Sequence, residues 1–428
     1  MSQGPTLHRS LVPACSDDYD AAVPLPDYAD ALAAALTAAS PLARVEVVEL
    51  SHAVGRVLGA PVVADRALPP FNRAMMDGYA LRAAEFGTID AWPVVAVISA
   101  GTPADVLVPP GACVAIATGA PLPDELDTVI QHEVSDRGDL DGQPVRFNIA
   151  SITPGASVHP RGSDAKQGDV IIPAGVVLQP HHLGIAASVG ATRLTVAAKP
   201  RIVILTSGDE VVSPASDALP HQIRNSNGLM LASLLEQCGG SVVAHHHVLD
   251  ELNATIRAVG DAICTADLII TVGGVSAGER DHFPAAFDEH RIERAIHGAM
   301  IQPGRPIFVG CVNNTDGALS PTVIALPGNP VSALACACLF AWPILRLMLG
   351  LDPSLPWRRV ALREALKPNA HRRAFRPAIL NADGTATVPN WSGSGDLCHT
   401  TPTSGLLELP VQADAVEPGT ELRFLPWP

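Results

Sequence analysis

The stretch Leu268-Ile269-Ile270-Thr271-Val272-Gly273-Gly274-Val275-Ser276-Ala277-Gly278-Glu279-Arg280-Asp281 decides the reading of the fold. A continuous apolar run with β-branched residues, ended by glycines, reads as a strand buried on both faces. The glycines of the turn that follows let backbone N–H groups approach a ligand closely. In open α/β sheets the ligand crevice lies at the carboxyl ends of the strands, so chemistry is expected here. Amide donors welcome an anion, whereas Glu279 and Asp281 repel one. A divalent cation bridging acid and phosphate reconciles the two.

Working outward, strands and helices alternate from Lys199 onward. Arg201 to Leu205 reads as a strand ended by Thr206-Ser207-Gly208-Asp209-Glu210. Leu229 to Cys238 reads as a helix with Asn227 or Ser226 as N-cap and Gly239 just past its end. Ser241 to Val248 is a strand stopping at Asp250, and Leu252 to Cys264 is a helix. Beyond the opening stretch come a helix from about Phe283 to His290, a strand Val323 to Leu326 and the turn Pro327-Gly328-Asn329-Pro330. A long apolar helix, Val331 to Leu349, follows. This alternation implies a parallel sheet covered on both faces. Four strand ends on one edge would make a bowl lined with acids and amides, with Ser332 in the first turn of the last helix, where free N–H groups favour an anion.

Upstream, residues 1–24 read as a disordered leader, and an Ala/Leu-rich helix spans Asp27 to Ala39. The segment Leu68 to Arg161 is dense in Gly, Pro and Val. Its short strands, Val94 to Ile98, Cys113 to Ala117 and Thr128 to His132, suggest a compact all-β module. Downstream, Leu351 to Pro428 returns to short β-prone pieces with a hairpin turn at Asn381-Ala382-Asp383-Gly384, as in a small barrel or meander. Arg372, Arg373 and Arg376 there could meet a phosphate, or form an exposed basic loop.

With 428 residues, 47% hydrophobic and 17% charged, the chain can bury several cores. A formal net charge of −15 argues against a nucleic-acid partner. No signal-type segment is evident, and no apolar run approaches the length of a membrane span. The eight scattered cysteines read as buried free thiols of a cytosolic protein. Several motifs mislead. The Gly273 to Gly278 loop is neither a dinucleotide fingerprint nor a P-loop. Of His245-His246-His247 at most two can share a site on a strand, and a satisfied or solvent-facing triplet is the plainer reading. Ser276 and Ser332 lack a His–Asp arrangement and read as hydrogen-bond donors. Taken singly, an acid beside glycine is more often a turn-former than a catalyst.

Taken together, a set of motifs stands in one order: Leu68-Pro69-Pro70-Phe71 leading to Met76-Asp77-Gly78-Tyr79-Ala80, Thr118-Gly119-Ala120-Pro121-Leu122-Pro123, Arg161-Gly162-Ser163-Asp164, Thr206 to Glu210, Gly273 to Gly278 with Asp281, Pro303-Gly304-Arg305-Pro306, and Leu326-Pro327-Gly328-Asn329-Pro330-Val331-Ser332. From about Leu25 to near the C-terminus the chain resembles the molybdopterin molybdenumtransferases, the MoeA and gephyrin E-domain family. The resemblance implies a multidomain α/β plus β protein. Its expected parts are a split helical/β domain (25–67 and 162–199), an inserted β domain (68–161), a three-layer α/β molybdopterin-binding domain (200–350) and a C-terminal β-barrel-like domain (351–428). It implies a cytoplasmic homodimer with a shared cleft, without nucleic acid or membrane, and with adenylyltransferase or molybdoenzyme partners possible. The activity implied is insertion of molybdate into adenylylated molybdopterin with Mg²⁺, releasing AMP.

Positions matching the family's functional residues are Asp77, Thr118, Asp164, Glu210, Asp250, Asp281, Pro327 and Pro330, with Ser394 in the C-terminal domain. Asp250 and Asp281 are the expected Mg²⁺ ligands. The loop holding Gly273, Gly274 and Ser276, together with Gly304, Arg305, Gly328, Asn329 and Ser332, would hold the cofactor's phosphate and pterin. Asp77, Thr118, Asp164 and Glu210 would line the molybdate and dithiolene side. The chain departs from the family where Gln302, Arg305 and Gly298 replace commonly basic lysines, although Arg305 offers a fork of donors. Two alternatives follow: an adenylyltransferase, from the α/β domain alone, and a non-catalytic pterin carrier or scaffold, from Gly298 and Gln302.

Overall fold

The computed structural model describes residues 24–136, 143–274, 281–313 and 320–428. The chain divides into two compact units: Ala43–Ala198, and Lys199–Pro428 together with the chain up to Leu42.

In the second unit, the strands β1 (Arg201–Ser207), β2 (Ser241–Val248), β3 (Leu268–Val272), β4 (Ile292–His297), β5 (Phe308–Val312) and β6 (Thr322–Leu326) form one sheet in the order β2-β1-β3-β6-β5-β4. The stretch that decided the reading supplies β3, and all five of its residues are buried. Helices α1 (Tyr28–Leu36), α2 (Ser226–Gln237) and α5 (Pro330–Met348) pack on one face, sharing a core with Ile202, Ile204, Ile270 and Ile324. Helices α3 (Leu252–Thr265) and α4 (Phe283–Glu289) cover the other, against Val203, Leu205, Ile269 and Val323. Alternate residues of each strand thus feed opposite cores, which is why those strands read as unbroken apolar runs.

Three expectations need correction. The sheet is mixed, since β2, β1, β3 and β6 are parallel whereas β5 runs antiparallel to both its neighbours, β6 and β4. The link between β4 and β5, residues 298–307, is too short for the helical crossover that a parallel pair requires. The N-cap of α2 is Asn225, whose side chain accepts from the Gly228 amide, and not Ser226 or Asn227. Finally, Pro330–Met348 is long and apolar enough to cross a bilayer, but 83% of its apolar window is buried inside the fold, as in a core helix. A π-helical segment at Ala337–Ala341 interrupts it.

The same unit ends in a five-stranded closed barrel. Its strands are β7 (Arg358–Leu362), β8 (Arg373–Leu380), β9 (Thr385–Thr387), β10 (Gly405–Leu409) and β11 (Glu421–Pro426), and the β8–β10 pairing closes the ring. The Asn381–Gly384 turn joins β8 to β9 as an antiparallel pair. Ile301–Gln302 adds to β8 in parallel and ties the barrel to the sheet domain.

The unit Ala43–Ala198 holds a four-stranded sheet in the order Val94–Ile98, Cys113–Ile116, Gly78–Leu81, Thr128–Gln131. Val45–Glu49 pairs with Arg193–Ala197, and a helix spans Pro180–Ser188. Gly78 is required by contact: a Cβ there would lie 2.0 Å from the Ile130 carbonyl oxygen.

Candidate active site

In the unit Ala43–Ala198, turn and strand geometry fix three of the expected residues. The Asp77 carboxylate accepts from the Thr118 amide at 2.7 Å and from its hydroxyl at 2.9 Å. Those bonds, the amide first, hold the Asp77 carboxyl below the usual carboxylate range. Arg73 and His159 are cross-strand neighbours. An Arg73 Nη2 lies 3.1 Å from His159 Nδ1, and His159 Nε2 lies 2.8 Å from an Asp164 carboxylate oxygen. The Gly119 amide donates to Ala74 and the Met75 amide to Ser157, so the Arg73–Ala74 strand stands between the two carboxylate groups.

In the other unit, the expected residues fall into two groups. The first lies at the carboxyl ends of β1, β2, β3 and β6. The Asp209 and Asp250 amides donate to each other's carboxylates at 3.3 and 3.2 Å, lacing the β1 and β2 loops together. His282 Nε2 lies 3.1 Å from the Asp250 carbonyl, which brings the segment carrying Asp281 beside Asp250. Glu210 is exposed, with its carboxylate folded over Gly208. Gly273 and Gly274 have φ of +82° and +63°, and a Cβ on Gly274 would meet the Phe283 ring at 2.9 Å. The Gly273 amide is engaged by the Leu326 carbonyl, and Gly328 packs on the Gly273 Cα, which a Cβ would approach to 3.6 Å. Asn227 donates to the Gly328 carbonyl at 2.7 Å. Ser276 lies outside the described residues. Among the described residues no cluster of three or more His, Cys, Asp or Glu is arranged to hold a metal ion.

The second group lines a cleft of about 810 Å³ between the α5 end of the sheet and the barrel. Gly304, Arg305, Pro327, Asn329, Ser332 and Ser394 all reach it. Asn329 donates to the Ser394 hydroxyl at 3.0 Å, and the Val331 amide to the Ser394 carbonyl at 3.0 Å. Pro330, the first residue of α5, has no N–H. The helix start therefore offers the cleft chiefly the amide and hydroxyl of Ser332. Gly304 is held at φ +105° where a Cβ would strike Cys336 Sγ at 2.1 Å.

Sequence reasoning named Arg372, Arg373 and Arg376 together, and the fold separates them. Arg373 turns to the buried Glu408 at 2.7 Å, whereas Arg372 and Arg376 face the cleft. Arg376 gives one N–H to the Lys367 carbonyl and stacks on Trp391, 5.5 Å from its centroid, leaving a buried Nε without a partner. Burial lowers the pKa of its guanidinium. Among the described residues, no acid pairs with Arg305, Arg372 or Arg376. Trp391, which no sequence signal singled out, walls the cleft and stacks at 5.9 Å on His399. Of the departures from the family, Gln302 accepts from Asn369, whose own Oδ1 caps the turn at Arg372. Gly298 sits at φ +91° with Leu25 in the space a Cβ would need.

A three-layer α/β domain whose strand ends carry acids and glycine turns, joined to a barrel across a guanidinium-lined cleft, defines a binder of phosphorylated or oxyanionic small molecules. Comparison with known proteins narrows that class. Residues 27–190 match the MoeA N-terminal region (domain I and II), and residues 203–347 match a probable molybdopterin binding domain. A molybdopterin molybdenumtransferase 2 of Mycobacterium tuberculosis is 36% identical over 389 residues, covering 88% of this chain and 93% of that protein. One from Synechocystis is 34% identical over 289 residues, covering 67% and 73%. A solved molybdopterin biosynthesis MoeA protein of Pyrococcus horikoshii superposes with a TM-score of 0.81 at 25% identity, covering 94% of this chain and all of that one. The chain belongs to the molybdopterin molybdenumtransferase family, transferases of molybdenum cofactor biosynthesis that insert molybdenum.

Proposed function

We propose that the chain inserts molybdate into adenylylated molybdopterin with Mg²⁺-dependent release of AMP. The observation that carries this reading is the cleft, where Arg305, Arg372 and Arg376 gather with no acid partner among the described residues, in a chain of net charge −15. Arg305 is exposed, but Arg372 and Arg376 are half-buried, and removing a guanidinium from water without a counter-charge is costly unless an anion completes it. Molybdate and a phosphate share the tetrahedral oxyanion shape that forked donors fit.

Ser332, Ser394 and Arg372 would hold the oxyanion while Arg376, braced on Trp391, neutralises it. Asp250 and Asp281 are the candidates for Mg²⁺. A cation of this kind takes one or two carboxylates and completes its shell with water and substrate phosphate, so the sparse donor set fits a site finished by substrate. When bound, Mg²⁺ would offset pyrophosphate charge. Glu210, Asp77, Thr118 and Asp164 would shape the molybdate and dithiolene side. The shared cleft of a homodimer and a cytoplasmic location rest on family membership alone.

The test is AMP release and cofactor formation by purified protein given adenylylated molybdopterin, molybdate and Mg²⁺. Tight binding without turnover would favour the carrier instead, and consumption of ATP with free molybdopterin the adenylyltransferase.

A further inference from the structure

Three consecutive histidines, His245, His246 and His247, lie on the outer strand β2 and take no part in the site described above. Strand alternation divides them. His246 faces the groove against α3, whose lining His247 also reaches, while His245 and His247 both approach Thr206 on the side of α2. His245 fills the space beside Gly228, where a Cβ would come within 2.0 Å of its ring.

His247 does something more directed. Thr206, its register partner on β1, is 2% exposed, and its hydroxyl is the hub of a chain. Asn225 Nδ2 donates to Thr206 Oγ1 at 2.8 Å while Asn225 Oδ1 caps α2. His247 Nδ1 lies 3.1 Å from Thr206 Oγ1, and His247 Nε2 lies 3.1 Å from the Gly208 carbonyl oxygen. A carbonyl only accepts, so Nε2 carries the hydrogen, and in the neutral ring Nδ1 is left to accept from the Thr206 hydroxyl. His247 Nδ1 is nearer the Thr206 hydroxyl than the His246 carbonyl at 3.4 Å or His245 Nε2 at 3.5 Å, so the shortest path of donation runs from Asn225 through Thr206 and His247 to Gly208.

The end of this chain matters because of what Gly208 carries. Gly208 is held at φ +125°, and a Cβ there would lie 3.0 Å from both carboxylate oxygens of Glu210. The Glu210 carboxylate thus lies over the Gly208 Cα, and the Gly208 carbonyl also accepts from the Val211 amide at 3.0 Å, closing the turn that carries Glu210. We infer that His247 is a positioning residue for molybdenum insertion: its Nε2–H holds the Gly208–Glu210 loop, and with it Glu210, against the capped start of α2. This inference rests on the reading that places Glu210 in the site.

Two variants of His247 separate the directed bond from mere packing. The amide nitrogen of glutamine reproduces Nε2, and that of asparagine reproduces only Nδ1. His247→Gln keeps kcat within about twofold of the parent, while His247→Asn loses about tenfold in kcat with KM for molybdate unchanged, the scale of one hydrogen bond. Circular dichroism melting establishes that both variants fold. Equal activity of the two variants overturns the inference. So does an Nδ1–H tautomer of His247 in ¹⁵N-histidine NMR of the full chain. Glu210→Gln, assayed alongside, tests the underlying reading by itself: parental activity there removes Glu210 from the site, while the tautomer and the Gln/Asn contrast still report on the loop.

Discussion

The carboxylates of the Ala43–Ala198 unit and the guanidiniums of the cleft are opposite solutions to placing charge. Asp77 is bonded twice by Thr118, and Asp164 stands at the end of a His159–Arg73 chain. Each carboxylate already has donors, so its geometry is set before any ligand arrives. Arg305, Arg372 and Arg376 have no acid beside them among the described residues, and Arg376 is held by a backbone carbonyl and an indole. The difference teaches that the acids are built to keep a position and the cleft is built to accept charge.

The sharpest attempt to break this contrast is at Asp281, which lies with Asp250 at the strand ends. Asp281→Asn should lower kcat on the order of 10²-fold and shift the Mg²⁺ dependence to higher concentration, since Asp250 alone remains to hold the cation. An unchanged Mg²⁺ dependence would remove Asp281 from the metal. Next in size, Arg376→Ala and Arg372→Ala should each raise KM for molybdate about tenfold, the loss of a charge-assisted hydrogen bond. Arg373→Ala, whose partner is Glu408, should leave that KM unchanged while lowering the melting temperature.

Whether the two regions serve one centre is open to a mixing experiment. Asp77→Asn and Asp281→Asn proteins, inactive alone and then co-refolded, should recover about a quarter of parental activity if a dimer shares its sites, since half the dimers carry one intact site. Absence of recovery would confine each centre to one chain. Trp391→Ala should weaken molybdate binding by about threefold, the scale of an exposed cation–π contact, as read by calorimetry.

The smallest effect concerns Asp77. Its folded pKa is depressed, so its bonding to Thr118 contributes fully above the unfolded carboxylate pKa and is lost as pH falls through the folded value. Thr118→Val removes one of the two donors and should shift that loss to higher pH, seen by following the Asp77 carboxyl in ¹³C NMR. An unmoved titration would mean the Thr118 hydroxyl does not hold the acid.

Much of this was legible in the residues. The unbroken apolar run Leu268–Val272 could only be a strand buried on both sides, and the four glycine- or acid-bearing strand ends followed from it. The hairpin at Asn381–Gly384 was legible because its turn chemistry is local. The antiparallel β4 and β5 were not, because their pairing is long-range and their composition is ordinary. Asn225 was missed as a cap because three polar residues in succession can each cap, and only the hydrogen bond to Gly228 chooses among them.

The sequence by itself determined the alternation of strand and helix, the acid and glycine turns and, through motif order, the family. Those are properties of neighbouring residues, and local sterics and hydrophobic period write them directly into the chain. Only the tertiary structure decided which of Arg372, Arg373 and Arg376 face the cleft, that Trp391 braces one of them, and that His247 reaches the Gly208 loop. Each of those facts depends on which partner lies across a gap between distant segments, and no spacing along the chain encodes that distance.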